Sequence, residues 1–453
     1  GKEMIRLTWA QPEDLVAHAL VAKRLDGDDA DEIANRWVAA GGSLSAPHSG
    51  ATTEPATAPQ RALARELLSE LDRLPPPAVL LADEPDDLDA ILALAPGGFT
   101  APASDDLEDR VHGGWLGRAA GCLLGKPVEK ITREGIRAIA GSTGNWPLEG
   151  YFTAIGLDRD VAAAYPWNRA SRATSLAENI AGMPEDDDLN YALLALSLVE
   201  RHGDAVTTDD VALAWLDLLP GKRVFTAERI AYRNLLDGYE PDEAAVVGNP
   251  FHDWIGAQIR TDVYGWVCPG DPSRAAQLAW QDGRLSHRRN GLYGAMFVAA
   301  ATSAAVTART VEECVAAGLS VIPPQSRYAA AVRRGVGLAN SGLDDEAAID
   351  VLYDDFGHLH WVHSLNNSAL MSFALARSGG DFATAITTCV AGGWDTDSTG
   401  ATVGSICGAL VGASALPPAW IDPLANRLAT TIAGFDGIGF DELARRTVAA
   451  RLP

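Results

Sequence analysis

The sequence predicts an all-α protein: a compact bundle of many helices, preceded by a smaller, mostly helical N-terminal extension. Two observations favour this class. From Asp106 onward, long segments rich in Ala, Leu and Gly are separated by loops of Gly, Pro and Asp, whereas alternating strand patterns are scarce. Several of these segments are apolar nearly all round, which is typical of helices in the middle of a bundle.

The composition is that of a globular protein with a sizeable core. Of the 453 residues, 47% are hydrophobic and 21% are charged. The formal net charge of -24 argues against nucleic-acid or anionic-membrane partners, because both would repel the chain. Five cysteines without a C-x-x-C pair favour reduced thiols over disulfides or a zinc site. We therefore expect a cytoplasmic protein, and the sequence leaves its oligomeric state open.

No segment reads as a membrane anchor or a leader. The first residues lack the apolar core of a signal peptide. The uncharged run from Ala401 to Leu416 has 16 residues, fewer than the ~20 that a helix needs to cross a bilayer. We interpret this run as a buried helix.

The N-terminal extension, residues 1–105, reads as small helices and a linker. A helical pattern opens at Pro12 and continues to about residue 40, and residues 41–59 are rich in Gly, Ser, Thr and Pro, as loops are. A further helix is predicted from Gln60 to Leu74, before three prolines. The run AVLLA at 78–82 suits one short buried strand, and the helix DLDAILAL follows. Residues 106–453 are expected to carry the chemistry.

The first motif of that larger region is GRAAGCLLGKPVE, residues 117–129. It approaches a phosphate-binding loop, but its glycine spacing is one residue short, and Pro127 stands where a magnesium-binding Ser or Thr is required. We interpret it instead as a helix that ends at Gly125 and is stopped by Pro127. Glu129 then lies just beyond the helix, either as a functional acid or as an ordinary solvated one.

Two acidic runs stand at the beginnings of apolar helices. Glu185 to Asp188 precede LNYALLALSLVE, and Asp395 and Asp397 open a helix with glycine at every fourth position from Gly400 to Gly412. A glycine face permits close backbone packing. If the neighbour is the helix after Asp188, the two acidic ends converge, and carboxylates ~4 Å apart repel by ~4 kcal/mol at an effective dielectric constant near 20. Cations would relieve this, and oxygen ligands favour magnesium, manganese or calcium over zinc.

Two further segments have less specific patterns. The segment Ser286–Gly291, SHRRNG, precedes an apolar helix and suits either an anion or sugar contact or an ordinary surface. His358, His360 and His363 match no metal-ligand spacing that we can defend. We expect these histidines in the core or at its rim.

Taken in order, three of these motifs resemble those of the ADP-ribosylglycohydrolases. Residues 117–129 are similar to the family's G-x-x-x-G-D-A-x-G-x-P-x-E, residues 185–188 to its T-D-D-T, and residues 393–398 to its G-G-D-T-D-T. The likeness runs from Leu107 to Ala413. It implies an all-α fold with two divalent cations, Mg or Mn, in a cleft, and hydrolysis at the anomeric ribose carbon of a small-molecule or protein-linked ADP-ribosyl substrate.

The resemblance also implies site residues by motif position. The catalytic residues would be Glu129, at the place of the catalytic acid, and Asp187. The implied metal ligands are Glu185, Asp186, Asp187, Asp395, Asp397 and Ser398. The segment 256–272 falls at the family's Gly-rich substrate loop, so the implied substrate contacts are Gly256, Arg260, Tyr264, Gly265 and His287, with Trp394 as a wall of the sugar or adenine site.

Four positions depart from the family pattern. Cys122 replaces Asp, Glu185 replaces Thr, Trp394 replaces Gly and Ser398 replaces Thr. Glu185 adds negative charge to the implied metal site, while Ser398 still offers a hydroxyl. Two alternatives to an ADP-ribosyl substrate stay open: the same chemistry on a small ribosylated metabolite or nucleoside-like glycoside, and a non-catalytic ADP-ribose sensor.

Overall fold

The computed structural model describes residues 5–101 and 104–453, and these residues form 24 α-helices. Among them there is no β-strand; Met183, Leu428, Trp254, His363 and Ile438 form isolated bridges only. The all-α class predicted from the sequence is therefore confirmed. No helix in this part of the chain is both long and apolar enough to cross a membrane.

The N-terminal extension contributes five helices: α1 (Pro12–Leu25), α2 (Asp31–Ala39), α3 (Ala58–Asp72), α4 (Ala78–Asp83) and α5 (Leu88–Leu94). The short strand predicted at 78–82 is wrong, because these residues form α4. None of the α4 residues is buried, and no neighbouring strand exists in the described chain to pair with them. The capping box between Thr57 and Gln60 sets the start of α3 two residues before the predicted one.

The remaining helices pack into one bundle. They are α6 (Leu107–Gly125), α7 (Arg133–Ser142), α8 (Arg159–Ala164), α9 (Ser171–Ser175), α10 (Asp187–His202), α11 (Thr208–Leu218), α12 (Thr226–Leu236), α13 (Pro241–Ala244), α14 (Asp262–Trp266), α15 (Pro272–Gly283), α16 (Arg289–Ala305), α17 (Val311–Leu319), α18 (Arg327–Ala339), α19 (Asp345–Phe356), α20 (Ser364–Ser378), α21 (Phe382–Ala391), α22 (Thr396–Val411), α23 (Pro418–Ile421) and α24 (Phe440–Ala449). Every residue of α16 is buried, as its apolar sequence predicts.

Helices α6 and α22 run side by side through the core because both carry glycine at every fourth position. A Cβ atom built on Gly404 would lie 2.1 Å from the carbonyl oxygen of Gly117, and one built on Gly121 would lie 1.9 Å from that of Gly400. Because both distances are shorter than any real carbon–oxygen contact, only glycine allows this approach. The close backbone packing expected at Gly404 is confirmed.

The N-terminal extension is attached to the bundle by buried and half-buried charged groups. Arg289 binds Asp26 at 2.8 Å, and Arg327 binds Asp26 and Glu84 at 2.9 Å. The Asn290 side-chain amide donates to Glu84 at 3.0 Å. The end of the segment Ser286–Gly291 therefore joins the extension to the bundle.

Candidate functional site

The contact between α6 and α22 places Glu129 beside the acids of α22. Gly125, the last residue of α6, lies against Thr396 so closely that a Cβ atom on it would be 2.2 Å from the Thr396 carbonyl oxygen. The Thr396 hydroxyl donates to the Gly125 carbonyl at 2.8 Å. A short 3₁₀ turn containing Pro127 then ends the helical run, and Glu129 follows it. The prediction that this motif is a helix ending at Gly125 and stopped by Pro127 is confirmed.

Helix α6 also holds the acidic start of α10. Arg118, fully buried, donates to the Asp188 carbonyl oxygen at 2.7 Å and lies 3.5 Å from the Asp188 carboxylate. The Asp186 carboxylate caps α10 by accepting from the Asp188 amide at 2.9 Å. The glycine face of α22 thus contacts α6. We had considered the helix after Asp188, which is α10, as its neighbour, and this was wrong. The acids converge nevertheless, because α6 touches both of the other helices.

Side chains from these three segments, all buried except the half-buried Glu129, form two groups of converging ligand atoms that share Asp397. One group consists of Cys122, Asp186, Asp188 and Asp397, and the other of Glu129, Asp395 and Asp397; within each group the atoms lie within 4.8 Å of one another. Ser398 is adjacent, since its hydroxyl lies 3.4 Å from the Asp188 carboxylate. Carboxylate and hydroxyl oxygens suit hard divalent cations.

The crowding of these carboxylates governs their protonation. Burial, followed by the charges of Asp397 and Asp186, raises the pKa of Glu129 well above its ordinary value. Burial and Asp186 raise the pKa of Asp187 and Asp188 in the same way, and burial with Asp397 raises that of Asp395. The cluster therefore retains protons unless cations replace them.

Asp186 is the exception within the cluster. Burial alone would raise its pKa, but the adjacent Lys126 ammonium and the Asp188 amide hold this pKa below the ordinary value. Lys126 donates a hydrogen bond to the Asp186 carboxylate, and Asp186 and its neighbours keep the pKa of Lys126 raised despite burial. One positive charge is thus built into the acidic cluster.

Glu185, an implied metal ligand, is directed elsewhere. Its carboxylate accepts from the Thr431 amide and hydroxyl at 2.6 and 2.5 Å and lies 3.2 Å from Arg223. The structure does not bring it into either group of converging ligand atoms. Asp187 likewise belongs to neither group, although it lines the same cavity as Asp186.

The acids open into a cavity of about 660 Å³. The lining residues come from the acidic segments, the loop before α9, the start of α12, the segments 255–259 and 361–362 and the N-terminal extension. They are Thr8, Trp9, Ser49, Gly50, Ala51, Lys126, Glu129, Lys130, Asn168, Arg169, Glu185, Asp186, Asp187, Asn190, Arg223, Phe225, Thr226, Glu228, Ile255, Gly256, Ile259, Trp361, Val362, Asp395, Asp397 and Ser398.

Of the implied substrate contacts, only Gly256 lies on this wall. Arg260 is fully buried and binds Asp282 and Glu228, at 2.5 and 3.1 Å. Tyr264 donates to the same Asp282. Gly265 packs against α16, where a Cβ atom would lie 2.0 Å from the Thr302 hydroxyl. These three residues hold the 256–272 segment in the core and do not line the cavity.

His287 and Trp394 also lie away from the cavity wall. His287 is buried beside Ser286, whose hydroxyl is 2.7 Å from Nδ1, and burial lowers the pKa of this histidine well below its ordinary value. Trp394 has a φ of 60°, a conformation that favours glycine, and glycine is the residue at this place in the family motif. Its ring stacks on Tyr353 at 4.3 Å, which holds the strained position.

Four residues that the structure places in the site were not among the predicted site residues. Asp188 belongs to one group of converging ligand atoms, and its place in the same acidic run was the available signal. Trp361 and Phe225 line the cavity and no motif marked them. Glu228, also on the wall, is an isolated acid in the helix TAERIAYRNLL and had no local signal.

The helical fold brings acids from three segments together beside one cavity, and their carboxylate oxygens are a donor set that suits divalent cations. The ADP-ribosylglycohydrolase family model matches residues 103–452. The chain therefore belongs to the ADP-ribosylglycohydrolase family and is a glycosidic-bond hydrolase.

Two individual proteins illustrate the range of similarity. An uncharacterized protein from Archaeoglobus fulgidus is 25% identical over 327 residues, which cover 71% of this chain and 93% of that protein. A solved chain described as an ADP-ribosylglycohydrolase-related protein complex has 20% sequence identity and a TM-score of 0.48. The match covers 77% of this chain and 100% of the solved one.

Proposed function

We propose that the protein hydrolyses the bond at the anomeric ribose carbon of an ADP-ribosyl conjugate, with two divalent cations, Mg or Mn, as cofactors. The observation that carries this proposal is the convergence of buried acids from the end of α6, the start of α10 and the start of α22 on one cavity.

The donor set fits hard cations. Asp186 and Asp188 would serve one cation and Asp395 the other, with Asp397 available to both and Ser398 adjacent. When bound, the cations would neutralise the carboxylates, orient the ribose hydroxyls and lower the pKa of a bound water. The Cys122 thiol is an unsuitable ligand for them, because burial and then Asp186 raise its pKa well above the ordinary value.

Glu129 is the proposed general acid. Its carboxyl accepts a hydrogen bond from the Asn168 side-chain amide at 3.1 Å, which fixes its orientation. Because burial raises the pKa of this carboxyl, it holds its proton to a higher pH than an exposed glutamate does, and it can donate that proton to the leaving nitrogen or oxygen as the bond to the anomeric carbon breaks. Asp187, on the same wall, would in its ionised form stabilise the positive charge that develops on the ribose, and water supplies the new oxygen.

The wall of the cavity favours a small-molecule conjugate over a protein-linked one. Residues 8–9 and 49–51 of the extension line the cavity together with the acids. Trp361 and His360 donate to the His48 carbonyl oxygen at 2.7 and 2.8 Å, so this loop is fixed to the bundle. A cavity with this additional fixed wall favours a small substrate. The second candidate is accordingly a small glycoside of ribose, in which the same bond is cleaved.

Product analysis tests the function. The enzyme is incubated with arginine-linked, serine-linked and small-molecule-linked ADP-ribose in Mg²⁺ or Mn²⁺, and release of ADP-ribose is measured with and without a chelator. We expect cation-dependent release, largest for the small conjugate. Equal rates in the chelator-treated and cation-loaded enzyme would disprove the role of the acids.

Glu129→Gln separates proton transfer from cation binding. We expect this variant to lose hydrolysis by about 10²-fold or more while cations still raise its melting temperature. Glu134→Gln, an exposed acid on α7, is the matched control and is expected to behave as wild type. Full activity of Glu129→Gln would remove Glu129 from the mechanism.

A further inference from the structure

The two groups of converging ligand atoms differ in the positive charge that the chain itself supplies to them. Asp186 and Asp188 belong to one group, which we call the Asp186 side. Asp395 belongs to the other group, which we call the Asp395 side, and Asp397 is shared by both. In the described part of the chain, basic side chains form ion pairs with Asp186 and Asp188, but not with Asp395 or Asp397.

Lys126 supplies the first of these charges. Its Nζ donates to Oδ2 of Asp186, while Oδ1 of the same carboxylate accepts from the Asp188 amide at 2.9 Å. The Lys126 carbonyl oxygen accepts from the Asn168 amide and the Ser171 hydroxyl, both at 3.3 Å, so the backbone of this lysine is fixed. Because each oxygen of Asp186 already has a donor, a cation that reaches this carboxylate must share an oxygen with the ammonium or displace it.

The Lys126 ammonium can be displaced, because its side chain is not enclosed by protein. It is 14% exposed and lines the cavity, so it can turn toward the cavity while its backbone stays in place. The ammonium is therefore a mobile charge on a fixed support.

Arg118 supplies the second charge and Cys122 removes a negative one. Arg118 is fully buried, lies 3.5 Å from the Asp188 carboxylate and pairs with Asp262 at 2.7 Å. Cys122 contributes a thiol to the Asp186 side at the position where the family motif has an aspartate. The Asp186 side thus has one carboxylate fewer than the motif implies and contacts two basic side chains.

From this charge distribution we infer that Lys126 is a built-in cation of the Asp186 side and makes the two sides unequal. A divalent cation binds the Asp395 side first, and the Asp186 side takes its cation only at a higher concentration, because a positive charge at a ligand oxygen opposes a second one there. The inference rests on the proposed function, since it assigns different affinities to the two proposed cations. Hydrolysis that needs both cations would follow the filling of the Asp186 side.

Counting bound cations tests the inference independently of turnover. The chelator-treated full chain is titrated with Mn²⁺, and the free Mn²⁺ is measured by electron paramagnetic resonance. We expect two sites per chain whose dissociation constants differ by about tenfold or more. Two sites of equal affinity in wild type would overturn the inference.

Substitutions at position 126 test the role of the ammonium. Lys126→Met keeps the length of the side chain without its charge and should tighten the weaker site by about tenfold or more. Lys126→Gln, which also removes the charge but keeps a donor for Asp186, should act in the same direction. Lys126→Arg keeps the charge, so its weaker site should stay weak. An unchanged weaker site in Lys126→Met or Lys126→Gln would overturn the role of Lys126.

Lys130→Met is the matched control. Lys130 lines the same cavity, so this variant removes the same charge from the wall but leaves the ion pair between Lys126 and Asp186 in place. Its weaker site should have the wild-type affinity. An equal tightening in Lys130→Met would show that the total charge of the cavity, and not Lys126 in particular, sets the difference, and the inference would fail.

Asp395→Asn tests the order of binding. This variant should lose the tighter site and keep the weaker one, and a retained tighter site would overturn the inference. Turnover distinguishes the two proposals. Cation-dependent hydrolysis by an enzyme with two equal sites would refute this inference alone. Two unequal sites that become similar in Lys126→Met, in an enzyme that releases no ADP-ribose, would refute the proposed hydrolysis and support the inference.

Discussion

A single methyl group placed between α6 and α22 tests whether their contact is as tight as the structure shows. In Gly404→Ala the new Cβ atom would lie 2.1 Å from the Gly117 carbonyl oxygen, whereas real contacts do not fall below 3.0 Å. The helices would have to separate by about 0.9 Å, because the opposing atom belongs to the backbone and cannot rotate away.

The expected loss follows from two opposing effects. Overpacking typically costs ~1–3 kcal/mol, and the upper part of this range applies because the obstacle is backbone. Replacing glycine by alanine inside a helix contributes ~0.5–1 kcal/mol of stability in return. We therefore expect a net decrease of about 1–2 kcal/mol in the free energy of unfolding, measured by denaturant titration.

Gly337→Ala provides the matched control. Gly337 is an exposed glycine inside α18, and a Cβ atom there would meet no atom within 4 Å. This variant should be as stable as wild type or more stable, by up to about 1 kcal/mol. If both alanine variants stabilise the protein equally, the contact between α6 and α22 is looser than the structure shows and the reasoning fails.

Two further variants test charge rather than packing. Asp395→Asn should leave the cation-free protein as stable as wild type or slightly more stable, because it relieves repulsion between carboxylates. It should also reduce the rise in melting temperature that cations cause. In wild type this rise corresponds to ~2.7 kcal/mol when the cation concentration is a hundred times the dissociation constant. An undiminished rise would show that Asp395 is not a ligand. Glu228→Gln should flatten the pH dependence of stability. Burial, opposed by Arg260, raises the pKa of Glu228 from 4.5 to about 7 in the folded protein. Between pH 4.5 and 7 the folded state therefore binds a proton that the unfolded state has lost. The free energy of unfolding falls by about 3 kcal/mol as the pH rises through this range. The nearby charged groups Arg260 and Asp282 and the neutral Tyr191 stay in place in this variant. An unchanged fall in stability, measured by denaturation from pH 4.5 to 7, would contradict the assignment.

Local sequence patterns were enough to predict the helices and the convergence of the acidic side chains. The stop at Pro127 and the acidic starts of α10 and α22 were readable because capping and breaking are decided by adjacent residues. The partner of the α22 glycine face was also encoded, since Gly113, Gly117, Gly121 and Gly125 repeat at the same spacing in α6. The matching repeat lies in α6, whereas α10 was the neighbour that we considered.

Local sequence patterns could not predict the direction in which each side chain points. The acidic run was expected to act as a unit, but Glu185 turns to Thr431, which lies 246 residues later in the chain. Arg260 was expected at the substrate and instead binds Asp282 and Glu228 in the core. Such choices depend on tertiary partners, and no local periodicity encodes them.

The glycine contact explains how acids from separate segments can occupy one small volume. Repulsion between carboxylates pushes the ends of α10 and α22 apart in the cation-free protein, since like charges ~4 Å apart cost several kcal/mol in partly buried surroundings. The long contact between α6 and α22 resists this, and Arg118 ties the start of α10 to α6 through the Asp188 carbonyl. Retained protons lower the repulsion further. Because the scaffold opposes the repulsion, the proposed cations would not need to organise the acids, and the free energy of their binding would stabilise the folded state directly.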